Sequence, residues 1–239
     1  MEKRYPRAQW RGADPANVGG PLEPAKVHLF VLHVMQGTLD GTDSWFHNPR
    51  AQVSAHFGIG TDGTVYQFVE IDTMAWHCME DNDRSIGIEH AGYSGHPITP
   101  AALTASLELL EWLHQQFPHV PLRRSRYEFN AGVIAHGELG AAGGGHPDCP
   151  GDPILTQFDI ALAVLHEEIK KGITKMNINL NLSTVENWLR KVGSYAIFVN
   201  DATHTVHVST SLKAVLTAVA GAIFAVDHYA SKPTPKAGA

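Results

Sequence analysis

The sequence predicts an α/β fold, a mixed central β-sheet flanked by helices, followed by a small, mainly helical C-terminal region. Three observations point there. Residues 27–34 (VHLFVLHV) form a nearly continuous apolar run of strand length, which suits a strand buried on both faces. Two helix starts, Thr99-Pro100 and Asp152-Pro153, pair a capping side chain with proline at the first helical position. The order of elements is strands, helix, strand, helix, and a sheet with helices packed on its faces satisfies it.

Each element has its own signal. Residues 1–26 carry Pro6, Pro15, Pro21 and Pro24 among Gly12, Asn17, Gly19 and Gly20, and read as an irregular arm. After the first strand, residues 44–50 suit a short helix. Residues 53–60 read as a second strand, TDGT (61–64) as a tight turn, and 65–70 as the hairpin partner. SIGIE (85–89) is a further strand, apolar enough to be central. Leu103, Leu107, Leu110, Leu113 and Phe117 share one helical face, and Pro118 and Pro121 end that helix. Residues 133–136 form a short strand, and 141–151 a loop rich in glycine and proline. Ile154, Phe158, Ala161, Leu165 and Ile169 mark the second long helix.

A chain of 239 residues holds one well-packed domain and a small second unit. With 44% hydrophobic and 18% charged residues it is not an intrinsically disordered chain. A net charge of −6 argues against a dedicated nucleic-acid binder. Two cysteines make no disulfide framework. Residues 171–239 carry seven basic and three acidic groups, whereas residues 1–170 carry eleven and twenty-one. That split suggests two units with different work, 27–170 and 171–239. In the second, STVE (183–186) is a capping-box signature and 195–208 suits a small hairpin. Residues 212–226 form an apolar helical run of about 15 residues, short of the ~20 that span a bilayer. A packing or self-association helix is preferred there over membrane contact. The first 24 residues hold no apolar core of a secretory signal, so none is expected.

The chemistry rests on histidine. There are 15, and 12 precede residue 170. His33 and His136 each end a strand, and Cys149 lies in the loop HPDCPG before a helix. Two imidazoles and a thiolate leave one tetrahedral position open, the donor set of a catalytic rather than a structural zinc. Long spacing and the lack of HExxH or CxxC keep structural histidines as the competing reading.

Five segments together resemble the type 2 N-acetylmuramoyl-L-alanine amidases, a family shared with phage endolysins and peptidoglycan recognition proteins: VLHVMQG (31–37), VSAHFGIGTDGTVYQFV (53–69), MAWHCMEDNDRSIGIEHAG (74–92), VIAHGELG (133–140) and HPDCPGDP (146–153). The resemblance covers about half of the chain. It implies Zn2+ held by His33, His136 and Cys149, with Glu89 at the position of a catalytic glutamate. Trp76 and His77 match a position lining the substrate groove. Arg84 is a candidate grip on a stem-peptide carboxylate. His146 is a candidate second catalytic group, an imidazolium near the oxyanion, where many relatives have lysine or threonine at the position of Pro147. Ala55, before His56, is a second departure, since many relatives carry tyrosine there. His56 reads as structural, and Cys78 as a small buried hydrophobe.

For each of these a plainer reading competes: a solvent-facing strand-end glutamate, a core tryptophan, a solvated arginine, a loop histidine. The activity implied is hydrolysis of the amide between N-acetylmuramic acid and L-alanine in bacterial peptidoglycan. The setting implied is a phage endolysin made in the host cytoplasm and acting on the wall after release. Residues 171–239 would then be a wall-targeting or association unit. The alternatives are a recognition module that holds muropeptide without cutting it, and a zinc peptidase of the stem peptide.

Overall fold

The computed structural model describes residues 1–126, 130–170, 198–200 and 205–207. Strand β1 (Gln9–Trp10) and strand β2 (Val18–Pro21) lie in the arm. Strand β3 (Leu29–Val34) follows, with all six residues buried. Helix α1 (Leu39–Phe46) comes next, then strands β4 (Phe57–Ile59), β5 (Val65–Gln67), β6 (Thr73–Ala75) and β7 (Ser85–His90). Helix α2 (Pro100–Gln116), strand β8 (Gly132–Ala135) and helix α3 (Asp152–Lys170) complete the first unit. The main sheet has the order β1-β5-β4-β7-β3-β8. Only the β4–β5 hairpin is antiparallel within it; β1–β5, β4–β7, β7–β3 and β3–β8 are parallel.

Register positions the functional residues. Along β3 and β7, Leu29 faces Ser85 and the pairing runs without a break to His33 opposite Glu89 and Val34 opposite His90. On the other side, Leu32 faces Ala135, so His136 follows the last paired residue of β8. Parallel strands in register bring their carboxyl ends together, and open α/β sheets bind ligands at that edge.

The helices form where capping and apolar spacing agree. Thr99 accepts from the Ala102 N–H, Pro100 opens α2, and Leu103, Leu107, Leu110, Leu113 and Phe117 are all buried. Ile154 and Phe158 of α3 are buried, and the Gln157 side chain bonds both the N–H and the carbonyl of Ile98. Helix α1 starts earlier than the expected 44–50. Thr38 caps it by accepting from the Gly41 N–H, and Leu39, Asp43 and Phe46 are its buried face. The second strand is also shorter than expected, because residues 53–56 bond out of register: Ser54 N–H donates to the Trp76 carbonyl and His56 N–H to that of Gly87.

The arm is more ordered than its prolines suggest. Strand β1 extends the main sheet, and β2 pairs antiparallel with β6 in a separate two-stranded sheet. Buried Asn17 donates to the carbonyls of Phe46 and Asn48 and accepts from Gln52 N–H.

The chain divides into two compact units, Met1–Gly172 and Ile173–Ala239. In the second, strands β9 (Phe198–Asn200) and β10 (Thr205–His207) pair antiparallel, with Val199 opposite Val206, within the span expected as a hairpin. The capping box at 183–186 and the apolar run at 212–226 lie outside the described residues. Among the described residues no helix is long and apolar enough to cross a membrane.

Arg124 ties the end of β8 to α3. It donates to both Glu138 oxygens, to Asp159 and to the carbonyls of Ser125 and Val133, and its side chain is 10% exposed. Glu138 in turn accepts from Ala135 N–H, one residue before His136. Removing a nearly buried cation strands its partners. Since Glu138 and Asp159 keep some water contact, Arg124→Ala is expected to cost about 2–3 kcal/mol, less than a fully buried pair. Urea denaturation measures it; a loss below about 0.5 kcal/mol would put Arg124 among ordinary surface charges.

Candidate metal and catalytic site

His33, His136 and Cys149 converge at the carboxyl ends of β3 and β8. One donor atom from each lies within 4.8 Å of the others. The rings of His33 and His136 are 4.4 Å apart between centroids, and Cys149 Sγ is 4.0 Å from His33 Nδ1. The other ring nitrogens are occupied. His33 Nε2 meets His77 Nδ1 at 3.0 Å, and His136 Nε2 donates to the Gly143 carbonyl at 2.7 Å. That leaves Nδ1 of each ring as the nitrogen free for a metal, and in His33 it is the one that faces the thiol. Burial, together with the neighbouring histidines, holds His33 well below the usual imidazole range. His136 is lowered by burial as well. Neutral imidazoles are the form a metal takes. The set His, His, Cys at this spacing fits zinc, with a fourth position left for a substrate or water.

The cysteine loop is held by close packing. Gly137 N–H donates to the Cys149 carbonyl at 2.7 Å, and a Cβ on Gly137 would stand 2.6 Å from the Pro147 carbonyl oxygen. Only glycine lets the loop lie that close to the residue after His136. Burial and the carboxyl of Glu89 push the Cys149 thiol up to about 12.

Glu89 stands beside this cluster. Its Oε1 is 4.0 Å from His33 Nδ1, and its enclosed Oε2 has no hydrogen-bond partner. Burial raises its carboxyl to about 8. Such an acid is set to exchange protons near neutrality, and a cation among the three donors would draw it toward the ionised form.

The groove around these residues has a volume of about 710 Å³. Of the residues expected from sequence, Glu89, His146, Trp76 and His77 all line it with the three donors. His146 is exposed and its ring lies 4.8 Å from that of His136. His77 is turned inward onto His33. Arg84 is not among the lining residues; its guanidinium pairs with buried Asp81. His56 lies behind the cluster, with Nδ1 accepting from Gly87 N–H and Nε2 on the Thr73 carbonyl. Cys78 is buried, as its reading as a small hydrophobe requires.

Sequence reasoning missed Trp45, Val53 and Met79, which line the groove while 51%, 39% and 68% exposed. Trp45 sits off the buried face of α1, and a correct start for that helix would have shown a large aromatic facing outward.

Residues 23–152 match the family model described as N-acetylmuramoyl-L-alanine amidase. A curated relative, N-acetylmuramoyl-L-alanine amidase A of Achromobacter lyticus, is 48% identical over 89 residues, covering 37% of this chain and 49% of the relative. The chain thus spans about half the length of that relative. The crystal structure of Staphylococcus aureus hydrolase AmiA in complex with its ligand aligns with a TM-score of 0.51 at 17% identity, covering 72% of this chain and 87% of the other. That likeness is one of fold.

The protonation states set how zinc affinity varies with pH. With the thiol near 12, it is protonated throughout pH 6–8 and must lose its proton to bind a metal. His33 is already neutral there and offers no competition. Affinity is therefore expected to rise about tenfold per pH unit, and more steeply if Glu89 also ionises. Chelator-competition titrations at pH 6, 7 and 8 measure it; an affinity flat across that range would remove Cys149 from the ligand set.

Proposed function

Because the chain belongs to the N-acetylmuramoyl-L-alanine amidase family through residues 23–152, we propose that it is a zinc-dependent hydrolase of bacterial peptidoglycan. It cuts the amide between the lactyl group of N-acetylmuramic acid and L-alanine. The observation that carries this reading is the enclosed Glu89 carboxyl, its Oε2 without a hydrogen-bond partner among the described residues, beside the His33, His136 and Cys149 donors. The activity for which the Achromobacter lyticus relative is named supports the bond assignment.

Zinc at the three donors would supply a Lewis acid for the scissile carbonyl and a means of making water nucleophilic near neutral pH. The chain's own residues do the rest. Glu89 accepts the proton that the attacking water loses and returns it to the alanine nitrogen as the C–N bond breaks and the new C–O bond holds. Its raised pKa favours the return step, and the developing charges nearby favour the first. His146, whose ring lies 4.8 Å from that of His136, is our candidate donor to the oxyanion, with neither lysine nor threonine at Pro147. Trp76 and the outward Trp45 give the groove two aromatic surfaces for a sugar or peptide face. Arg84, spent on Asp81, enters no step. We read the setting as that of an endolysin, acting on the wall after release from the cytoplasm. Residues 171–239 are read as the wall-targeting or association unit.

Product analysis on purified peptidoglycan tests this reading. Wild type is expected to release free N-terminal L-alanine without new reducing sugar ends. Glu89→Gln is expected to keep its zinc and lose about 10²–10⁴-fold in kcat. Cys149→Ser is expected to lose zinc and activity together. Binding without release would make the chain a recognition module. Release of stem-peptide fragments with the lactyl amide intact would make it a peptidase.

A further inference from the structure

His77 stands where the resemblance puts a groove residue, yet both of its ring nitrogens are engaged on the inner side. Nδ1 meets His33 Nε2 at 3.0 Å, and Nε2 meets Ser85 Oγ at 3.3 Å. The Ser85 hydroxyl donates at 2.6 Å to the Asp81 carbonyl, so its single proton is used there. Toward His77 that oxygen can only accept.

Cys78 Sγ, the other possible donor, lies 3.8 Å from His77 Nε2 but 3.3 Å from Ser85 Oγ, and its weak S–H goes to the nearer oxygen, so the chain of donors has one direction. His77 carries its proton on Nε2, its bare Nδ1 accepts from His33 Nε2–H, and His33 is left with a bare Nδ1 facing Cys149. The reversed chain would put a proton on His33 Nδ1 and block it as a metal donor.

Two further features hold the ring in place. A Cβ on Gly87 would stand 2.6 to 2.9 Å from the His77 ring, so glycine at the middle of β7 makes the space the imidazole fills. Asn82 Oδ1 accepts from the N–H groups of both His77 and Cys78, fixing the backbone that carries it. Among the described residues no carboxylate bonds the ring: its neighbours are His33, His56, Cys78 and Ser85.

We propose that His77 is a positioning residue, which through Ser85 and the Asp81 carbonyl selects the His33 tautomer that offers Nδ1 to the metal. The inference rests on the zinc reading of the site. Metal-bound histidines ordinarily give their second N–H directly to a carboxylate or carbonyl. Here a neutral imidazole and a hydroxyl stand between, and Gly87 and Asn82 are the structural provision for them.

Two measurements on the full chain test it. In long-range 1H–15N spectra of the metal-free protein, His33 is expected to carry its proton on Nε2. Zinc affinity by chelator competition is expected to fall about 10–100-fold in His77→Leu. His77→Asn, whose Oδ1 stands near the position of Nδ1, is expected to recover most of that loss. Ser85→Ala is expected to give a mixed His33 tautomer and an intermediate affinity. A proton on His33 Nδ1 in wild type overturns the proposal. So does unchanged zinc affinity in a His77→Leu protein with wild-type circular dichroism. If wild type binds no zinc, the metal reading fails, and the tautomer measurement still decides the relay.

Discussion

The site depends on one constraint, the unbroken parallel register of β3 between β7 and β8. His33 is opposite Glu89 because Leu29 is opposite Ser85 four residues earlier, and His136 follows Ala135 because Leu32 pairs with it. A slip of one residue would turn His33 and its neighbours to the other face of the sheet. The buried apolar side chains of β3 disfavour that slip, since His33 would then take the place of Leu32 or Val34 in the core. Hydrophobic burial along three strands is thus what sets the distance between the Glu89 carboxyl and the His33 and His136 imidazoles.

The same burial sets the chemistry. It makes the imidazoles neutral and the thiol and carboxyl hard to ionise, with no partner supplied for Glu89 Oε2. An acidic group enclosed without a partner costs stability. A divalent cation reverses that balance, turning two reluctant acids into a donor and a base. The fold carries a local disadvantage that a cation held by the three donors would remove.

Much of this was legible in the sequence because it follows from one-dimensional signals. The apolar runs at 27–34 and 85–89 announce buried strands, so the polar residues that end them, His33 and Glu89, stand out. Helix α2 opens on its cap-then-proline signal, while α3 begins at Asp152 itself, one residue before Pro153. Helix α1 was misplaced because Asp43 interrupts its apolar period, being buried by its ion pair with Arg11. The arm's strands escaped notice because β1 has two residues and no alternation to read, while its order comes from distant partners such as Gln67, which bonds Tyr5 N–H and the Lys3 carbonyl. Arg84 looked available because the sequence does not reveal that Asp81 folds back onto it. The inward turn of His77 was hidden for a similar reason: it depends on the space above Gly87.

The two-residue β1 has a consequence beyond order in the arm. It lies on the outer side of β5, and at the opposite border an isolated bridge from Arg124 to Val133 lies along β8. Both borders of the main sheet are therefore short and interrupted, the condition under which sheets do not template the addition of strands from other molecules. Among the described residues, borders so blunted present a neighbouring molecule with few unpaired backbone groups in a row.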